Sequence, residues 1–136
     1  MRFLWVPLSL MVLTACGGGP ASPSTEFIAI KSITPVDGTA VKTGTTVSFA
    51  VAVTSTIVNF NSGRVVMIVT DQVGRTVQPT GRPQPNVAVA KGTATVELSD
   101  SVTVPADALA IEVVLALFVE GSDRTAVFVK ARYPVQ

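Results

Sequence analysis

Thr45-Thr46-Val47-Ser48-Phe49-Ala50-Val51-Ala52-Val53-Thr54 is the stretch that decides the fold. Every second residue is a sizeable apolar one: Val47, Phe49, Val51 and Val53. The residues between them are only Ser, Ala and Thr. Side chains alternate between the two faces of a strand, so this period of two predicts a strand with one face in a core and the other in water. A helix would scatter the same four residues around its circumference.

Working outward, the same grammar repeats. Phe27 to Thr34 reads as a strand that stops at Pro35, ahead of the turn Val36-Asp37-Gly38-Thr39. Arg64 to Asp71 is a continuous apolar run closed by Gln72-Val73-Gly74, and Thr76 to Gln78 reads as a short edge strand. Pro79-Thr80-Gly81-Arg82-Pro83-Gln84-Pro85 offers too few amide donors for a central strand and reads as a loop or edge crossing. Thr93 to Val104 alternates with Ala94, Val96 and Leu98 inward, interrupted at Ser99-Asp100-Ser101. Ala110 to Glu120 and Thr125 to Val135 form the last pair, joined through Gly121-Ser122-Asp123. Leu109 to Phe118 has the length of a helix, but its β-branched residues and flanking turns favour a strand. About seven short strands in residues 26–136 predict an all-β, antiparallel β-sandwich. Val47, Phe49, Val51 and Val53 should then face Val96, Leu98, Val113, Leu115 and Leu117 across it.

Ile33-Thr34-Pro35-Val36-Asp37-Gly38-Thr39-Ala40-Val41, followed by Gly44 and Val47-Ser48-Phe49, resembles the opening of bacterial immunoglobulin-like domains. Val104-Pro105 leading into Ile111-Glu112-Val113 is similar to their approach to the sixth strand. The resemblance covers most of residues 26–136 and implies an immunoglobulin-like or fibronectin-like sandwich that holds, spaces or binds. The cysteine pair and core tryptophan of antibody-type domains are absent.

Residues 1–15, MRFLWVPLSLMVLTA, have the layout of a secretory signal: Arg2, an apolar run from Phe3 to Leu13, then small residues. The run is too short for a permanent span, which takes roughly 20 apolar residues. Leu13-Thr14-Ala15-Cys16 resembles the bacterial lipobox at every position. That resemblance implies cleavage before Cys16 and a diacylglyceryl thioether on its sulfur, the thiolate being the nucleophile that takes the lipid. Residues 16–25, the lipidated cysteine and a Gly/Pro/Ser tether, carry no side chain able to build a core. Nine flexible residues span about 15–18 Å root-mean-square, which keeps the folded part close to a bilayer. Gly17 rather than Asp follows the cysteine, which in a host with two membranes favours the outer one. The expected location is the cell envelope, lipid-anchored outside the cytoplasm.

Composition narrows the function. Once Arg2 leaves with the signal, nine Lys and Arg balance nine Asp and Glu, with no basic block. Nucleic-acid binding, which draws its affinity from cations placed against phosphates, is therefore not expected. The chain has no histidine, and its one cysteine is Cys16, so the usual general base and thiol nucleophile are missing. Glu112 and Glu120 on one strand lie about 26 Å apart at the rise of a strand, too far for a carboxylate pair. Asp37, Asp71, Asp100, Asp107 and Asp123 are scattered singly, unlike the clustered oxygens of a calcium site. The expectation is a non-enzymatic module with no metal and no cofactor beyond the covalent lipid on Cys16, acting through a protein partner in the envelope.

Parity locates a candidate partner surface. On the strand from Ala110, the odd residues Ile111 to Val119 make the better core face, sending Val114, Ala116 and Phe118 outward. On the next strand Lys130 and Arg132 must face water, so Phe128 does too. Val66 and Ile68 extend the same face, giving Val66, Ile68, Val114, Phe118 and Phe128 as candidate partner-binding residues. The competing expectation is that the proline-rich loop Pro79 to Pro85 covers them. The alternative function is a glycan- or small-ligand-binding module, although the mature chain offers such a site no tryptophan. Phe60, between Asn59 and Asn61, is expected to sit on a loop as a lid on the core.

Overall fold

A computed structural model describes residues 25–120 and 125–136. Among these the chain forms five strands and no helix: β1 Phe27–Thr34, β2 Thr46–Asp71, β3 Asn86–Thr103, β4 Ala110–Val119 and β5 Thr125–Pro134. All pair antiparallel in one sheet, ordered β1-β2-β4-β5 with β3 also on β2. Cys16 and the signal lie outside the described residues.

The strand count is five rather than about seven because β2 joins two of the expected strands into one and the expected edge strand 76–78 does not form. Asn59-Phe60-Asn61-Ser62-Gly63 does not end β2. The β2–β3 register instead shifts there, from Ile57↔Gly92 to Ser62↔Ala90. β2 spends three more residues than β3 on this corner, an enlarged bulge, and pairing resumes beyond it. β3 follows the bend at Gly92, whose φ of +106° suits a residue without a Cβ. Ser99-Asp100-Ser101 likewise leaves the β3 ladder intact, with Asp100 opposite Phe49. β3 also takes in Asn86–Ala90, where Val87 and Val89 alternate with the small Ala88 and Ala90. Thr76 to Gln78 makes a single bridge, Thr70↔Thr76, rather than a strand.

β2 therefore changes partners along its length. Before the corner it lies between β1 and β3, and beyond it between β3 and β4. Yet one hydrophobic cluster contains Phe49, Val51 and Val53 from the first part together with Val65, Met67, Val69, Val113, Leu115, Leu117 and Tyr133. The Phe49 and Tyr133 rings sit 5.0 Å apart although β5 pairs only with β4 within the sheet. The sheet thus folds back on itself at the corner and encloses a core. Val41 bridges Val135, and the Gly38 amide donates to the Arg132 carbonyl at 3.0 Å, closing the open side. Val96 and Leu98 do not face Val53 and Val51 across the core; they are their ladder neighbours on the same strand pair.

Tyr133 is fully buried and its hydroxyl donates to the Pro35 carbonyl at 2.7 Å. Burial, with the Asp37 charge adding to it, pushes this hydroxyl up to about 12 from 10.0. The folded state favours the neutral phenol, so its contribution is complete below pH 10 and is lost as pH rises through the folded value. Denaturation midpoints between pH 9 and 12 should fall for the native chain, and Tyr133→Phe should flatten that decline. An unchanged slope in the variant would place the alkaline sensitivity elsewhere.

Candidate interaction surface

Beyond the corner, β2 buries Val65, Met67 and Val69 and turns Arg64, Val66 and Ile68 outward. β4 buries Ile111, Val113, Leu115, Leu117 and Val119, leaving Glu112, Val114 and Phe118 half-buried. On β5, Ala131 and Tyr133 point in, while Phe128, Lys130 and Arg132 are exposed. Register then brings the outward residues together. Val66 lies beside Ala116 and Ala116 beside Phe128; Ile68 lies beside Val114 and Val114 beside Lys130. Phe118 opposes Arg64 and is one outward step from the Ala116–Phe128 pair.

Val66, Ile68, Val114, Phe118 and Phe128 therefore occupy one continuous patch on the face turned away from the core. Phe128 is 64% exposed. The other four shield one another, and Ala116, between Val66 and Phe128, is itself buried. The patch has a charged margin. Lys130 and Arg132 both reach Glu112, at 3.3 and 3.2 Å, and the Arg64 guanidinium donates to the Asn86 side chain. An open depression of about 410 Å³ runs between Arg64, Ala88, Phe118 and Glu120.

The proline-rich loop does not cover this face. Arg82 pairs with Asp100 and donates to the Ser101 carbonyl on β3. Gln78 is buried; it accepts the Val69 amide and donates to the Met67 carbonyl and the Asp100 carboxylate. These bonds hold the loop along β3, at the other margin of β2. Phe60 is part of the β2 corner rather than of a loop, and it packs against the core.

The carboxylates are occupied in holding turns. Asp71 is buried and accepts the amides of Val73 and Arg75, and the Arg75 guanidinium bridges it to Asp107. Burial alone would raise the Asp71 carboxyl, but Arg75 and the two amides outweigh it and hold it below the usual range. Asp37 accepts the Arg132 amide, and Glu120 the Ser62 hydroxyl. Among the described residues no cluster of three or more acids, histidines or cysteines stands ready for a metal ion. The opposite sheet face, before the corner, carries paired hydroxyls: Ser48 with Ser101, Thr54 with Thr95 and Thr56 with Thr93.

Among the described residues the fold is all-β, a single antiparallel sheet closed around one core. Compared with protein-family models and with curated proteins, the sequence matches none.

Proposed function

We propose that the chain is a lipid-anchored, non-catalytic envelope protein whose domain is an immunoglobulin-like sandwich that binds a protein partner. Counted by ladder, its strands make seven segments. Residues 27–34, 46–57 and 92–103 pair on one side of the corner, and 86–90, 62–71, 110–119 and 125–134 on the other. That division supports the two layers of such a sandwich. The observation that carries the binding role is the apolar patch of Val66, Ile68, Val114, Phe118 and Phe128, gathered by register on an outer face. A contiguous apolar face on a small domain marks a contact site.

The test is a Phe118→Ser, Phe128→Ser double variant, tagged after Gln136 and recovered from detergent-solubilised envelope. Binding to a stoichiometric protein partner should fall at least about ten-fold, the loss of one or two buried aromatic anchors, while the unfolding midpoint stays near that of the native chain. A collapsed midpoint would make the two rings part of the folded core. Retention on a glycan array that survives the substitutions would favour the glycan-binding alternative.

The anchor is tested separately. Cys16→Ser removes the sulfur that takes the lipid, so the variant should accumulate as an uncleaved or mislocalised precursor. Mass spectrometry of the native mature protein should show a lipidated terminus at residue 16, and an unmodified terminus beginning elsewhere overturns this reading.

A further inference from the structure

We propose that the corner end of the domain, where β2 bends at residues 58–61 and β3 turns at 91–92, is seated against the lipid bilayer with Phe27 and Phe60 at the contact. This rests on the lipid anchor at Cys16 proposed above and adds to it an orientation.

The first observation is where the tether enters the fold. Glu26 accepts the backbone amides of Val58 at 3.3 Å and Asn59 at 2.9 Å, which pins the start of the domain to the corner. β1 then runs away from it, from Phe27 opposite Thr56 to Thr34 opposite Ala50. The opposite end of the molecule holds the turns around Val36, Val73 and Leu109. From Ile57 to Thr46 a strand covers about 36 Å at 3.3 Å per residue. Ten residues of chain between Cys16 and Glu26 reach about 33–36 Å only when pulled straight, and a flexible chain of that length spans about half as much. Bringing the far end to the membrane would hold the tether at its limit. Bringing the corner there costs it nothing.

The second observation is what the corner presents. Of the five described phenylalanines only Phe49 is fully buried. Phe27 is 47% exposed on the outer side of β1, two ladder steps from Val58, and Phe60 sits half-buried in the bend. Aromatic rings settle at the boundary between headgroups and acyl chains. On the adjoining turn Lys91 is exposed, while the carboxylates of Glu26 and Glu120 are held by backbone amides and by Ser62. With this end down, the β2–β4–β5 patch stands upright beside the bilayer, open to a partner.

Trp5 is the chain's one tryptophan and departs with the signal, so each tryptophan introduced into the mature protein is a clean probe. Phe27→Trp, Phe60→Trp, Phe128→Trp and Leu109→Trp are placed, as lipidated protein, on phosphatidylethanolamine–phosphatidylglycerol vesicles with brominated acyl chains. Emission at positions 27 and 60 should drop about two-fold, as for rings within the outer 5–10 Å of the bilayer, with little change at 128 and 109. Strongest quenching at 128 would mean that the domain lies on its apolar face. Strongest quenching at 109, equal quenching at all four, or none at any would equally overturn the orientation. The anchor is read independently by intact mass. If Cys16 proves unlipidated, coupling its lone thiol to a maleimide phospholipid restores the tether, and the same four probes decide the orientation.

Discussion

Phe49→Ala should cost the domain about 3–5 kcal/mol. Phe49 is 1% exposed and lies at the centre of the strand that the alternation defines, with its ring 5.0 Å from that of fully buried Tyr133 at an angle of 55°. Truncation removes the transfer energy of the ring, leaves a cavity that strands on two sides cannot both collapse into, and takes away the tilted aromatic contact. Domains of this size have roughly 5–15 kcal/mol in hand, so the variant should sit near the edge of folding at room temperature. Denaturant titration followed by far-ultraviolet circular dichroism should show a lower midpoint with an unchanged slope. Tyr133→Ala should be similarly damaging, and the double variant should lose less than the sum, because the two rings share one contact. A loss below about 1 kcal/mol for Phe49→Ala would mean that this face of β2 is not the core face.

Gly63→Val should be of comparable severity, about 3 kcal/mol or more, with Gly63→Ala already toward the upper part of the 1–3 kcal/mol range for overpacking. Gly63 pairs with Val89 on one side and Val119 on the other, just past the corner. A Cβ there would lie 2.6 Å from the Phe118 carbonyl oxygen, 2.9 Å from Ile57 Cδ1 and 3.4 Å from Leu117 Cδ1. The carbonyl belongs to the β4 backbone and cannot withdraw without opening the β2–β4 ladder, and Ile57 is itself 1% exposed with nowhere to go. The damage should be local first: amide hydrogen exchange should accelerate along β4 near Phe118 before it does so along β1. Because Phe118 belongs to the apolar patch, Gly63→Ala should also weaken partner binding. A Gly63→Val chain as stable as the native one would refute the close approach.

Much of this was legible along the chain. The inward parity of β2, β4 and β5 follows from Val47, Phe49, Val51, Val53, Ile111 to Val119 and the outward demand of Lys130 and Arg132. The bounds of β1 are those set by Pro35. The candidate patch was also readable, because parity is a property of each strand and not of its neighbours. The corner was not readable: Asn59-Phe60-Asn61-Ser62-Gly63 has the composition of a turn, and only the paired strand decides whether such residues reverse a chain or bulge it. Asp100 was similarly opaque. It stands on the inward side of β3 opposite Phe49, where a lone carboxylate is costly. Gln78 and Arg82, arriving from a loop about twenty residues earlier, satisfy it.

By itself, then, the sequence determined that this domain is built of strands and which side of β2, β4 and β5 is wet, since a two-residue period leaves each side chain one choice of face. It also determined that ten Lys and Arg stand against nine Asp and Glu and that the chain carries no histidine. The tertiary structure alone decided that β2 and β3 continue through the corner and that the proline-rich loop binds β3 and leaves the apolar face open. It alone decided the register that sets Ala116 between Val66 and Phe128 and Val114 between Ile68 and Lys130. Those outcomes depend on register and on contacts between residues dozens of positions apart, where the choice between two pairings is made by packing and hydrogen-bond satisfaction that no local pattern encodes.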